Sequence, residues 1–105
     1  MYKRQLYQSP YTIVAANKPV ADDYIQWDVV GRCCESGDII QPKVTLPMTI
    51  QRGDIIAVLT TGAYNYSMAS NYNRVPRPPI VMLDGEKDYV AVKRESFEDL
   101  VRNDV

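Results

Sequence analysis

The segment most informative about the architecture is Tyr24-Ile25-Gln26-Trp27-Asp28-Val29-Val30. Its apolar side chains alternate, with Ile25, Trp27 and Val29 on one face, and this period is typical of a half-buried β-strand. The alternation then gives way to the turn-forming run Cys33-Cys34-Glu35-Ser36-Gly37-Asp38. A thiol and a carboxylate therefore stand side by side where a strand is predicted to end.

Further strands are predicted on both sides of this segment. One covers residues 11–16, and another is the continuous apolar run 55–59, which we expect to be a central strand buried on both faces. Residues 79–83 and 87–92 flank Asp84-Gly85, a dipeptide typical of tight hairpins. The chain thus reads mainly as short strands separated by turns.

Two short helices complete the prediction. Ser96 can cap a C-terminal helix because Asp99 follows three residues later, and a second helix is expected over residues 67–71. Since strands predominate, we predict a mainly β fold, a Greek-key barrel or sandwich with a short internal helix and a C-terminal helix.

Length and charge restrict the function classes. A chain of 105 residues is one domain at most. With 12 basic and 13 acidic residues, the net charge of -1 gives no reason to expect a nucleic-acid or anionic-membrane partner. No apolar stretch approaches the roughly 20 residues that span a bilayer, and the basic start, residues 1–5, has no apolar segment behind it as a secretory signal would.

The two cysteines, Cys33 and Cys34, are neighbours in a chain that contains no histidine. Disulfide geometry disfavours a bridge between adjacent residues, so we expect free thiols and a reducing, cytoplasmic location. Two cysteines without histidine also argue against a zinc site, so no metal is expected. Because no histidine can activate a thiol, any chemistry here needs groups from outside these residues.

Several motifs carry a resemblance to a known family. They are Val29-Val30-Gly31-Arg32-Cys33-Cys34-Glu35-Ser36-Gly37-Asp38, Gly53-Asp54, Gly62-Ala63-Tyr64, Ser67-Met68-Ala69-Ser70-Asn71-Tyr72-Asn73, Arg77-Pro78, Asp84-Gly85 and Arg94-Glu95-Ser96-Phe97-Glu98-Asp99-Leu100. In order and spacing, over about residues 6 to 101, they resemble the C-terminal β domain of the diaminopimelate decarboxylase family.

The resemblance implies a fold-type III enzyme that uses pyridoxal 5′-phosphate to convert meso-2,6-diaminopimelate into L-lysine and carbon dioxide. In that family the cofactor sits at the mouth of an N-terminal (β/α)8 barrel, and the β domain closes the site. The implied partners are that barrel domain, a second subunit that shares the active site in a homodimer, and a small amino-acid substrate.

Site residues follow from the same resemblance. Cys34 resembles the thiol, contributed by the partner subunit, that returns a proton to the carbon after decarboxylation, and Glu35 the carboxylate that holds the distal amino group. Tyr64 resembles the tyrosine that contacts cofactor and substrate, and Tyr7 the substrate-binding tyrosine of an R-P-x-L-Y motif. Cys33 is expected to be a packing residue.

Other positions in the motifs receive structural roles. Asp38 is interpreted as a turn residue or a support for its neighbours, and Arg77 as an interface or loop residue. We expect residues 67–73 chiefly to hold Tyr64 and an interface in place.

The sequence departs from the family pattern at its start. The arginine of R-P-x-L-Y falls on Lys3, without the proline, so residues 1–5 are interpreted as a foreign or truncated start and residues 6–105 as the β domain. The cofactor-binding lysine and the barrel would precede residue 1, since the lysines at 3, 18, 43, 87 and 93 lie outside that motif. This chain alone is therefore expected to be inactive.

Two alternatives stay open from the sequence. The first is a related decarboxylase for ornithine, arginine or carboxynorspermidine, although Glu35 in C-E-S resembles the diaminopimelate group. The second is a stand-alone β module that binds a partner or ligand without catalysis.

Overall fold

The computed structural model describes residues 10–17 and 20–105. Its elements are strands β1 (Ile13–Ala15), β2 (Tyr24–Val30), β3 (Ile39–Pro47), β4 (Ile56–Val58), β5 (Ile80–Asp84) and β6 (Lys87–Val92), a 3-10 helix (Tyr72–Arg74) and helix α1 (Phe97–Val101). They fall into two compact units, the first ending at Met68 and the second beginning at Ala69. Within the described residues, no helix has the length and apolar character required to span a membrane.

The strands pair antiparallel, β1 with β4, β2 with β3, and β5 with β6. The β2–β3 hairpin lies in sequence between β1 and β4, and β4 returns to pair with β1. The described strands form three separate two-stranded ladders and do not close into a barrel. The mainly β prediction is confirmed in its sandwich-like form.

The hydrophobic core lies in the first unit and uses one face each of β1, β2 and β3. Its buried members are Ile13, Val29, Val44 and Leu46. The predicted inward face of β2 is confirmed at Val29 and at the half-buried Trp27, whereas Ile25 at the start of the strand is exposed. The alternation therefore gives the correct face, with burial increasing toward the end that leads into the cysteine loop.

Strand β3 is the longest strand and was absent from the sequence prediction. Its two prolines, Pro42 and Pro47, argue against a paired strand because proline cannot donate a ladder hydrogen bond. The structure accommodates Pro42 at a bulge, where Lys43 has a φ of 53° and its N–H donates to Asp28 Oδ1 (2.9 Å) instead of a ladder carbonyl.

Strand β4 differs from the prediction for the apolar run 55–59. Only Ile56–Val58 are in the strand, and they pair with β1 alone. Ile55 is 62% exposed and Leu59 is also exposed, so the prediction of a central strand buried on both faces is wrong for this chain. The local apolar pattern does not specify what covers a strand.

The second unit contains the predicted hairpin and C-terminal helix. Strands β5 and β6 are joined by Gly85-Glu86, and Gly85 adopts a φ of 61° that favours glycine. Ser96 caps α1 in a reciprocal capping box: its hydroxyl accepts from the Asp99 N–H (3.2 Å), and its own N–H donates to Asp99 Oδ2 (2.8 Å).

The internal helix is displaced from its predicted position over residues 67–71. Residues 62–68 form consecutive turns, and the helical element is the short 3-10 turn Tyr72–Arg74. Asn73 and Arg74 both have a φ of 55°, which interrupts right-handed helical geometry there. The polar and small residues of this region thus form turns rather than a continuous helix.

Candidate active site

The loop of residues 31–38 connects β2 to β3 and is closed at its base by the backbone. The N–H of Gly31 donates to the carbonyl oxygen of Asp38 (2.7 Å), which continues the β2–β3 pairing by one step. At the tip, the Asp38 N–H donates to the Glu35 carbonyl oxygen (3.1 Å) and the Glu35 N–H donates to that of Cys33 (2.8 Å). Turns with defined hydrogen bonds therefore carry Cys34 and Glu35.

A carboxylate lies inside this loop. Asp38 is only 7% exposed, and its Oδ2 accepts a hydrogen bond from the Cys33 N–H (2.8 Å). The carboxylate fills the space beside Gly31, where a Cβ atom would lie 2.0 Å from Oδ2. Gly31 is therefore required for space rather than for an unusual φ.

The two residues expected to do chemistry project from the loop. Cys34 and Glu35 are exposed, whereas Cys33 is half-buried, and both thiols are free. Cys34 and Glu35 are neighbours in the sequence, and the structure leaves both the thiol and the carboxylate accessible. No cluster of three or more potential metal ligands occurs in the part of the chain that the structure describes.

Tyr64 lies in the same unit, on the turn segment that follows β4. Its side chain is exposed, and its carbonyl oxygen accepts from both the Ser67 hydroxyl and the Met68 N–H (3.0 Å each). Ser67 therefore holds the backbone at Tyr64. Tyr7, the fourth predicted site residue, lies outside the described residues.

The second unit contains a polar network that the sequence did not reveal. Glu95 Oε2 accepts from the side-chain amide of Asn71 (2.6 Å) and from the Arg77 N–H (2.7 Å), and Arg77 Nη1 donates to Asn71 Oδ1 (2.9 Å). The hydrogen bond from the Arg77 backbone, followed by that from Asn71, lowers the pKa of Glu95 below that of an ordinary glutamate. Arg77 thus has an internal structural role.

Sequence reasoning missed Gly31 and the network of Asn71, Arg77 and Glu95 for different reasons. The run Gly37-Asp38 indicates a turn. Gly31, seven positions before Asp38, is only a weak indication that the backbone pairs there to close the loop. The network joins residues as many as 24 positions apart, and no local pattern marks such pairings.

With the loop, the strands and the pairings defined, the chain can be compared with known proteins. Its residues 1–62 match the model of the family described as pyridoxal-dependent decarboxylase, C-terminal sheet domain. The match spans more than half of the chain and includes β1 to β4 and the cysteine loop. The chain belongs to this family.

Curated relatives share one name. Diaminopimelate decarboxylase of Bacillus subtilis (strain 168) is 44% identical over 100 residues, 95% of this chain and 23% of that protein. The protein of the same name from Halalkalibacterium halodurans is 45% identical over 100 residues. The chain therefore spans about a quarter of the length of these relatives.

Solved structures agree in fold. The crystal structure of diaminopimelate decarboxylase from M. jannaschii in co-complex with L-lysine superposes with a TM-score of 0.89 at 28% identity, over 98% of this chain and 23% of that one. The Helicobacter pylori enzyme complexed with L-lysine gives a TM-score of 0.86 at 37% identity, over 96% and 25% of the two chains.

Proposed function

We propose that this chain is the C-terminal domain of a decarboxylase that converts meso-2,6-diaminopimelate into L-lysine and carbon dioxide. The observation that carries the proposal is the pairing of an exposed thiol, Cys34, with an exposed carboxylate, Glu35, on a hydrogen-bonded loop. The name shared by relatives that match 95% of the chain supports the same assignment.

The residues fit one side of a pyridoxal 5′-phosphate site. An accessible thiol, carboxylate and phenol are groups that can face a cofactor and its amino-acid substrate, while the family resemblance assigns the covalent lysine to another domain. When bound, the cofactor supplies an electron sink for the carbon that loses carbon dioxide. The proposed roles of the β domain are then to orient the substrate and to transfer a proton.

Cys34 is the proposed proton donor. Its S–H bond breaks as a C–H bond forms at the carbon that has lost carbon dioxide, and solvent then reprotonates the thiolate. A thiol suits this task because it carries a proton that it can deliver to one face of the substrate. Its exposure leaves the sulfur accessible to a substrate held by another domain.

Glu35 is the proposed substrate-selecting residue. A carboxylate next to the proton donor can pair with the distal ammonium of a diamino acid, and such charge-assisted hydrogen bonds are stronger than neutral ones. Tyr64, which is 57% exposed, is proposed to contact cofactor and substrate, and Tyr7 to contact substrate.

The proposed partners are an N-terminal barrel domain and a second subunit. Several large apolar side chains of the first unit are exposed, among them Ile55 and Leu59. Exposed apolar surface of this kind is typical of a contact with another domain or chain. We place the protein in the cytoplasm, where both free thiols would stay reduced.

The test uses the polypeptide encoded by the complete reading frame around these residues, supplied with pyridoxal 5′-phosphate. We expect L-lysine and carbon dioxide from meso-2,6-diaminopimelate, and no lysine from the 105-residue chain alone. Preference for ornithine, arginine or carboxynorspermidine would move the assignment to a related decarboxylase. Absence of decarboxylation with every substrate would favour a non-catalytic module.

Two variants assign the residues. Cys34→Ala should lower kcat by about 100-fold or more, in line with the usual contribution of general acids, while substrate still binds. Cys33→Ser replaces the neighbouring thiol and keeps the backbone N–H of residue 33, so this variant should lose far less of its kcat. Unchanged kinetics in Cys34→Ala would remove Cys34 from the mechanism. Glu35→Gln should chiefly raise KM for diaminopimelate.

A further inference from the structure

The carboxylate of Asp38 is the one buried charged group among the described residues, and the catalytic proposal has not used it. Burying a carboxylate is unfavourable unless hydrogen bonds compensate it, so its position requires a structural reason. The carboxylate lies against the backbone of the loop that carries Cys34 and Glu35.

Asp38 contacts that loop on both sides of the pair. Its Oδ2 accepts from the N–H of Cys33 (2.8 Å), immediately before Cys34, and its own N–H donates to the carbonyl oxygen of Glu35 (3.1 Å). Asp38 therefore holds the dipeptide Cys34-Glu35 on both sides. Its carboxylate binds the peptide that precedes Cys34, and its backbone N–H binds the carbonyl group of Glu35.

The base of the loop is adapted to this arrangement. Gly31 donates its N–H to the Asp38 carbonyl oxygen (2.7 Å), and a Cβ atom at residue 31 would lie 2.0 to 2.2 Å from the three carboxylate atoms. Any larger residue at 31 would have to displace the carboxylate from its hydrogen bond with Cys33.

From this geometry we propose, resting on the function proposed above, that Asp38 is a positioning residue for both Cys34 and Glu35. Its buried carboxylate fixes the Cys33 peptide, and Gly31 keeps the space that the carboxylate occupies. The thiol and the substrate-binding carboxylate are thereby oriented together, which matters because small displacements of reacting groups reduce rates strongly.

The first test is kinetic and uses the complete, cofactor-loaded protein. Asp38→Ala should lower kcat by ~10- to 100-fold because it releases the Cys33 peptide that precedes Cys34, and should raise KM for diaminopimelate less, since the backbone N–H of residue 38 can still donate to the Glu35 carbonyl oxygen. Asp38→Asn retains an oxygen that can accept from Cys33 and should recover most of the loss. If Asp38→Asn is as impaired as Asp38→Ala, or if neither is impaired, the proposal is wrong.

A matched control separates positioning from general stability. Asp54 also sits in a turn and accepts a backbone hydrogen bond, from the Gln51 N–H (2.8 Å), far in sequence from the cysteines. Asp54→Ala should leave kcat and KM unchanged even where it lowers the melting temperature. Equal losses of activity in Asp54→Ala and Asp38→Ala would mean that Asp38 affects activity only through general stability, and would overturn the proposal.

The second test does not depend on activity. In the 105-residue chain, amide hydrogen exchange at Cys33 should accelerate by about tenfold or more in Asp38→Ala, while amides of β2 and β3 keep their protection. Gly31→Ala should give the same local effect, and adding it to Asp38→Ala should cause no further loss. Unchanged exchange at Cys33 would refute the positioning role even if the enzyme assay succeeds, whereas absence of decarboxylation in wild type would refute only the proposed function.

Discussion

The two units of this chain are stabilised in different ways. Side chains from β1, β2 and β3 form a buried core in the first unit, whereas none of residues 69–105 is buried. The second unit relies on the β5–β6 ladder, the network around Glu95 and the capping box at Ser96. Several of its large apolar side chains, including Leu83 and Phe97, are exposed.

The difference explains where the candidate site is built. The loop of residues 31–38 extends directly from β2 and β3, the strands that supply most of the core. A functional group is oriented best when the elements beneath it are held rigidly by packing. The second unit has no such core beneath its hairpin, whose apolar side chains are largely exposed.

The largest effect should distinguish the two units directly. Leu46 is 3% exposed in the core and Leu83 is 79% exposed on the hairpin. Leu46→Ala should destabilise the 105-residue chain by about 2–5 kcal/mol, and Leu83→Ala by no more than about 0.5 kcal/mol. Urea unfolding followed by far-ultraviolet circular dichroism, which reports on the strands of both units, measures both. Similar losses in the two variants would mean that the hairpin is buried in solution.

A smaller, pH-dependent effect is expected at Glu95. Its pKa is lowered in the folded protein, so its stabilising contribution is complete above the pKa of the unfolded chain and is lost as pH falls through the folded pKa. Glu95→Gln should therefore melt at a lower temperature than wild type at neutral pH, and the difference should shrink on acidification. Glu86→Gln, an exposed hairpin residue, provides the control. A constant difference across pH would contradict the role of the ionised carboxylate.

The helix cap gives the next prediction. Ser96→Ala removes the hydroxyl that accepts from the Asp99 N–H and should cost about 1 kcal/mol, whereas Ser96→Gly should cost only a few tenths. The backbone N–H of Ser96 and then its hydroxyl lower the pKa of Asp99, and Ser96→Ala removes the second of these hydrogen bonds, so the loss should be greatest where that carboxylate is ionised. Denaturant unfolding at neutral and acidic pH measures the effect, and equal values for the two variants would count against the cap.

The smallest effect concerns the bulge of β3 in the first unit. Lys43 has a φ of 53°, which is strained for a residue with a side chain, so Lys43→Gly should stabilise the chain by about 0.5 kcal/mol. Lys87→Gly, in the regular strand β6, should instead destabilise it by about 0.5–1 kcal/mol. The two melting temperatures should move in opposite directions, and a shared direction would contradict the assigned backbone strain.

Local signals in the sequence specified much of the fold. The face of β2 follows from alternation, and the hairpin and capping box follow from residues a few positions apart. The turn itself is Gly85-Glu86 rather than Asp84-Gly85, with only Gly85 of the two at positive φ, so the central dipeptide was shifted by one residue. These features need only neighbouring groups, which is why propensity and period reveal them.

The candidate site was only partly accessible to the same reasoning. Motif resemblance indicated Cys34 and Glu35, and the structure places both on the exposed loop; their roles stay proposals. Asp38 was predicted to be a turn residue or a support for its neighbours, but its partner was not, since the hydrogen bond to Cys33 depends on how the chain folds back between two strands.

The sequence was sufficient for features in which interacting groups are close in the chain: alternation, a tight turn, a capped helix and an adjacent thiol and carboxylate. Only the tertiary structure established the proline-containing strand β3, the exposure of Ile55 and the network linking Asn71 to Glu95. The physical reason is that bulges, burial and long-range hydrogen bonds depend on distant partners. Those partners meet only after the backbone has folded.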